Sequence, residues 1–200
     1  MMKDNEKIKV KRWEAIGTRK QRIWYPGASY HITSRGIRKS VIFVEQEDYK
    51  IFMLILQYTQ EKMPFQLHSY CLMSNHFHLL LTTYEMEIGK IMQLILGNYA
   101  RYFNRKYGYK GHLFEDRYVS GLIRTTNQLL KISRYIHMNP VKAGIVHRPE
   151  DYPYSSYFYF IFGKDYPILE KNSILECFRD NPIKQYKEFV ESDMCVKNLA

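Results

Sequence analysis

Met73-Ser74-Asn75-His76-Phe77-His78-Leu79-Leu80-Leu81 reads as a tight turn opening into a β-strand. Ser74 and Asn75 are turn formers, because their short polar side chains bond back to the local backbone. Phe65 to Leu72 before them and His76 to Thr83 after them are strand-like, so the stretch is the bend of a β-hairpin. Side chains alternate along a strand, so His76 and His78 project to one face and Phe77 to the other. Two neutral imidazoles side by side supply half of a divalent-metal site. Taken alone, the pair also fits ordinary strand histidines, one exposed and one satisfied by hydrogen bonds.

Working outward from this hairpin, Ser29 to Arg35 alternates and is rich in β-formers, which predicts a first strand broken by Gly36. Val41 to Val44 predicts a short extended segment. Glu47 to Lys62 carries Ile51, Phe52, Leu54, Ile55 and Tyr58 at helix-like spacing, with acids in the first turn and Pro64 beyond. Ile88 to Tyr107 predicts a long amphipathic helix stopped by Gly108, and Tyr118 to Arg124 a fourth strand. The order β-α-β-β-α-β implies the α+β class: a ferredoxin-like antiparallel sheet with two helices on one face. A further helix is expected from about Asn127 to Asn139, capped by Thr125 or Thr126 and stopped by Pro140. The aromatic run Tyr157 to Phe162 follows, then a tail of two short helices split near Pro182. Residues 1–27 read as a basic leader, 28–160 as the main domain and 161–200 as a C-terminal helical extension.

Thirty basic against twenty acidic residues give a formal charge of +10 and a sequence pI near 9.4. Residues 165–200 hold five basic and seven acidic residues, so the positive excess belongs to residues 1–164. Lys7, Lys9, Lys11, Arg12, Arg19, Lys20 and Arg22 crowd the leader. A field of this sign and size favours a polyanion, nucleic acid first. The three cysteines, Cys71, Cys177 and Cys195, are odd in number and widely spaced, as expected of reduced thiols in a cytoplasm. No apolar run is long enough to span a membrane, and the charged N-terminus is not followed by the apolar stretch of a secretory signal.

The helix before Pro140 reads Arg134-Tyr135-Ile136-His137-Met138-Asn139. Leu129, Ile132 and Ile136 form its apolar stripe. Tyr135 and Asn139 are four apart, on one flank and one turn apart, whereas His137 falls far round the helix. A phenol and a carboxamide on this flank could overhang the sheet. In a chain with eighteen tyrosines, spacing alone does not distinguish Tyr135 from a ring that borders the core.

His76-Phe77-His78 together with Tyr135-Ile136-His137-Met138-Asn139-Pro140-Val141-Lys142-Ala143-Gly144 resembles the motif pair of the single-tyrosine HUH transposases, above all the REP-associated and insertion-sequence types. Tyr30-His31-Ile32-Thr33-Ser34-Arg35-Gly36, Gly111 to Arg117 and Asp151 to Ser156 are similar to further blocks of that family, so the likeness spans about residues 28–160. Ser74 departs from it, standing where many relatives have proline. The resemblance implies a metal-dependent enzyme that nicks and rejoins DNA through a covalent 5′-phosphotyrosine. It implies Tyr135 as the nucleophile and His76, His78 and Asn139 as ligands to Mg²⁺ or Mn²⁺. Two imidazoles suit manganese better, and magnesium is the more abundant ion.

The partner expected is single-stranded or hairpin DNA, held by basic side chains with aromatics among them. Arg35, Arg101, Arg105, Lys106, Arg117, Arg124, Lys131, Arg134 and Lys142 are the candidate contacts, and Lys131 and Arg134 are also candidates for activating the phenol. Tyr99 and Tyr102 are assigned to helix packing, and His31 and His112 to structural or DNA-facing roles. A homodimer, with the tyrosine helix of one subunit serving the histidines of another, is left open. The alternative function is a non-catalytic module for single-stranded nucleic acid on the same fold. His76 and His78 stand where such a module needs stacking rings, which disfavours it.

Overall fold

The computed structural model describes residues 23–192. The leader cations Lys7 to Arg22, and Cys195, lie outside the described residues. Strands β1 (Ser29–Arg35), β2 (Phe65–Met73), β3 (His76–Thr83) and β4 (Val119–Ile123) form one antiparallel sheet in the order β2-β3-β1-β4. Helices α1 (Gln46–Lys62) and α2 (Ile88–Tyr107) complete the β-α-β-β-α-β order. Then come α3 (Thr126–Lys142), α4 (Tyr157–Ile161), α5 (Asn172–Leu175) and α6 (Pro182–Glu191). The mixed α+β, ferredoxin-like class expected from the sequence is the class observed. Among the described residues no helix is long and apolar enough to cross a membrane.

The sheet has two covered faces. Tyr30, Ile32, Tyr70, Leu72, Phe77, Leu79 and Leu81 share one face and pack under Phe52 and Leu56 of α1 and Ile91, Ile95 and Tyr99 of α2. On the other face, Cys71, Met73 and Leu80 join Ile136 and Met138 of α3 with Tyr157, Phe160, Tyr186 and Val190 from beyond it. The register pairs Thr33 with His78, Arg35 with His76, and Cys71 with His78, so the two histidines belong to this second face.

The second face accounts for most differences from the sequence expectations. Helix α3 does not stop before Pro140 but runs to Lys142. Proline this close to a C-terminus removes one backbone hydrogen bond where the ladder is about to end, and Ile145 N still donates to its carbonyl. The buried side of α3 is Ser133, Ile136, His137, Met138 and Pro140, with Leu129 and Ile132 only partly buried. The helix lies between the sheet and the C-terminal segment and is covered on two sides. A boundary at residue 160 falls inside α4. Residues 152–170 also cover the otherwise open edge of β2, where Leu72 N donates to Tyr154 O, Ser156 N to Tyr70 O and Glu170 N to Leu67 O. Val41–Val44 forms no strand; Ile42 and Phe43 are buried and donate their N–H groups to Ser74 O. On α1, Phe52 and Leu56 are buried, whereas Leu54 and Tyr58 are exposed.

Among the described residues, Asp48 is the one fully buried carboxylate. It accepts from Val44 N, Glu45 N and the hydroxyls of Tyr102 and Tyr107, and pairs with Lys106 Nζ at 3.1 Å. Burial raises its pKa, but the hydrogen bonds outweigh this and hold it below the usual carboxylate range. A depressed pKa contributes stability that is present above the unfolded value, near 4, and is lost as pH falls through the folded one. Asp48→Asn is therefore expected to cost about 3 kcal/mol at pH 7, because an amide offers one acceptor oxygen where the carboxylate serves two backbone N–H groups and two hydroxyls. Urea titrations at pH 7 and below pH 4 check this: the deficit should shrink in acid.

Candidate active site

The strand alternation that separates His76 from Phe77 aims both imidazoles into a cleft of about 740 Å³. Its walls are Thr33 and Arg35 of β1, Lys39, Asn75, His76, His78, the loop residues Glu115, Asp116 and Arg117, Val119 of β4, and Tyr135 of α3. The imidazole rings of His76 and His78 lie 5.0 Å apart, nearly perpendicular. Tyr135 stands edge-on to His78 at 5.4 Å and to His31 at 5.7 Å, with its side of the helix open to solvent. Histidines and tyrosine thus meet within one chain.

Each imidazole is held neutral. Burial lowers the pKa of His78 to about 3, helped by repulsion from His31 and His76, and burial lowers that of His31 to about 4. Burial, with the charge of Arg35, lowers that of His76. Neutral imidazoles keep the lone pair a metal requires. His76 Nδ1 lies 2.6 Å from Asn75 Oδ1, an acceptor, so Nδ1 carries the hydrogen and Nε2 the lone pair. His78 Nδ1 lies 3.1 Å from His31 Nε2, and His78 Nε2 is buried with no hydrogen-bond partner among the described residues. An orphaned buried imidazole nitrogen beside a second available Nε2 fits a divalent ion.

Asn139 does not line the cleft. Its Nδ2 donates to Tyr135 O at 2.8 Å, which leaves Oδ1 as the atom that could ligate. Among the described residues no three His, Cys, Asp or Glu side chains gather into a metal cluster.

The basic candidates separate. Arg35 and Arg117 line the cleft, and Arg35 Nη2 is bound to Glu115 Oε2 at 2.6 Å. Lys142 lies on α3 with Nζ 5.1 Å from the centre of the Tyr135 ring, a cation over the phenol. Arg134 is turned away: its guanidinium bonds Val190 O and Ser192 Oγ and covers the Phe189 ring. The C-terminal segment engages this guanidinium, and Arg134 does not line the cleft. Lys131 and Arg124 are exposed. Arg101, Arg105 and Lys106 lie on α2, across the sheet from the histidines, where Lys106 is engaged by Glu45, Glu47 and Asp48. Tyr99 and Tyr102 pack as expected, bonded to Ile42 O and Asp48.

The model of the family described as transposase, IS200 like, matches residues 25–139. This chain belongs to the IS200-like transposase family. The match spans the whole sheet and ends on Asn139. Within the family, the chain is 31% identical over 121 residues to a Haemophilus influenzae protein described as a REP-associated tyrosine transposase, covering 54% of this chain and 68% of that one. In fold it is similar to the structure of a REP-associated tyrosine transposase bound to a REP hairpin, with a TM-score of 0.62 and 20% identity, over 77% of this chain and 98% of that one.

Two features of this transposase-family site lay beyond sequence reasoning. His31, assigned a structural or DNA-facing role from the sequence, is half-buried against His78 and Tyr135; the alternation Ser29, His31, Thr33, Arg35 would place it on the histidine face once β1 is paired with β3. His137 is fully buried and joins a hydrogen-bonded chain from the sheet to α6: Tyr70 N, Ser156 Oγ, His137, Tyr186 OH and Ser133 Oγ. Nothing in the helix periodicity signals Tyr186 as its partner.

Proposed function

We propose that this transposase cleaves and rejoins single-stranded or hairpin DNA at the His76–His78–Tyr135 cleft, in the cytoplasm, through a covalent 5′-phosphotyrosine. The observation that carries the reading is the meeting of Tyr135 with both histidines across one open cleft of a single chain. Tyr135 Oη attacks the scissile phosphorus, the P–O3′ bond breaks, and the 3′-oxygen leaves and takes up a proton as a free hydroxyl. The phosphodiester energy is kept in the tyrosyl ester, so an incoming 3′-hydroxyl can reverse the step and join strands without ATP.

His76 Nε2, His78 Nε2 and Asn139 Oδ1 would hold Mg²⁺ or Mn²⁺, which when bound polarises the phosphoryl group as a Lewis acid. Arg35 and Arg117 at the cleft wall would neutralise phosphate charge. Lys142 Nζ, over the Tyr135 ring, would offset the negative charge that gathers on the phosphoryl group as Tyr135 attacks. Arg101, Arg105 and Arg124, remote from the cleft, would at most hold flanking DNA. Both halves of the site lie within one chain, which is the arrangement that catalysis in cis would use.

A denaturing gel tests the reading. A hairpin with a labelled single-stranded flank, incubated with Mn²⁺, should give a protein–DNA adduct that maps to the Tyr135 peptide, together with a fragment ending in a 3′-hydroxyl. Cleavage that yields a free 5′-phosphate without adduct would mean attack by water. Binding without cleavage in either metal would favour a non-catalytic module. Lys142→Met should slow adduct formation about tenfold, the worth of about 1.4 kcal/mol in the barrier, while Lys142→Arg keeps most of the rate. Single-turnover kinetics measure both.

A further inference from the structure

We propose that His31 is a positioning residue for His78, holding its imidazole in the tautomer whose Nε2 carries the lone pair. The inference rests on the reading of His76 and His78 as metal ligands. A neutral imidazole has one N–H and one lone pair, so the contact between His31 Nε2 and His78 Nδ1 has two directions. If His31 donates, His78 Nδ1 spends its lone pair and Nε2 carries a hydrogen, which cannot ligate. If His78 Nδ1 donates and His31 accepts, Nε2 is left as a buried lone pair without a partner among the described residues, as a ligand requires.

His76 has the same arrangement by another route, with Asn75 Oδ1 as acceptor. Both imidazoles thus have an acceptor at Nδ1 and an available Nε2. One acceptor comes from the hairpin turn and the other from the neighbouring strand. Metal-bound histidines commonly donate their second N–H in this way, which fixes ring orientation and basicity.

The position of His31 also explains why a histidine is suited to it. Its ring stacks on His78 at 5.3 Å with 21° between planes, and Tyr135 meets both rings edge-on. A side chain here must reach the Nδ1 of His78 from a strand position that pairs with Leu80, not with His78 itself. Glutamine places its amide oxygen near where the histidine Nε2 lies, while asparagine is one methylene shorter. A purely packing role would follow bulk instead, so leucine, which has no acceptor, would then bind Mn²⁺ at least as well as the shorter asparagine.

Mn²⁺ binding to the whole chain, measured by the loss of the free-ion electron paramagnetic resonance signal, tests this without DNA or turnover. His31→Leu and His31→Asn should each weaken Mn²⁺ binding about 10–100-fold, the usual cost of losing such a partner, while His31→Gln stays within about threefold of wild type. Metal-free melting curves identify any variant that has lost its fold, and the Asn–Gln comparison still decides if the leucine variant is lost. Wild-type affinity in the leucine or asparagine variant, or a glutamine variant as weak as asparagine, would overturn the proposal. If His78→Ala abolishes binding and all three His31 variants bind normally, only the His31 role fails. If the wild type binds no Mn²⁺, the ligand reading fails with it.

Discussion

Tyr135→Phe should eliminate covalent capture of DNA and reduce strand cleavage at least about 10³-fold, the scale on which loss of a nucleophile is felt. The substitution removes one oxygen and keeps the ring. The edge contacts with His31 and His78 therefore survive, as does the cation contact with Lys142. The hydroxyl is on the open side of α3, so its loss leaves no buried polar group unpaired, and stability should change by less than about 0.5 kcal/mol. DNA affinity should also be retained, because the cleft cations Arg35 and Arg117 are untouched. Adduct gels, filter binding and urea midpoints on the same preparation separate these effects. Undiminished cleavage by the phenylalanine variant would leave Tyr135 as a packing residue and require water as the nucleophile.

Tyr186→Ala is expected to have the largest effect on stability, about 3–5 kcal/mol for truncating a fully buried aromatic ring. Its ring stacks on Phe160 at 4.7 Å, and its hydroxyl bonds His137 Nδ1 and Ser133 Oγ on α3. Tyr186→Phe keeps the ring and strands those two groups, which should cost about 1–3 kcal/mol. Burial lowers the pKa of His137 to about 3, so it stays neutral and cannot recover the loss by charging. Tyr186 is more than fifty residues beyond Tyr135 in the chain, yet it anchors the helix that carries Tyr135. The two variants should therefore lose adduct formation in proportion to their loss of folded protein. Denaturant midpoints beside adduct yields check the correlation. An alanine variant with an unchanged midpoint would show that the C-terminal segment is dispensable to the second core.

Much of this protein is legible locally. The hairpin at Ser74-Asn75, the alternation of His76, Phe77 and His78, the cap at Thr125 and the stop at Gly108 each depend on neighbours a few residues away. Backbone preference and periodicity operate over that range. Pro140 misled for the same reason: a local helix-breaking signal was overridden by packing of the last turn against the second face.

The sequence by itself determined the element order, the shared face of His76 and His78, the shared flank of Tyr135 and Asn139, and the family. Only the tertiary structure decided which cations reach the cleft, Arg35, Arg117 and Lys142 but not Arg134 or Lys106, and that His31 lies against His78. Only it joined Tyr186 to His137. The physical reason is that these pairs are set by strand order and by the burial of a second face. Both result from contacts between residues far apart in the chain, and no periodicity within a single element encodes them.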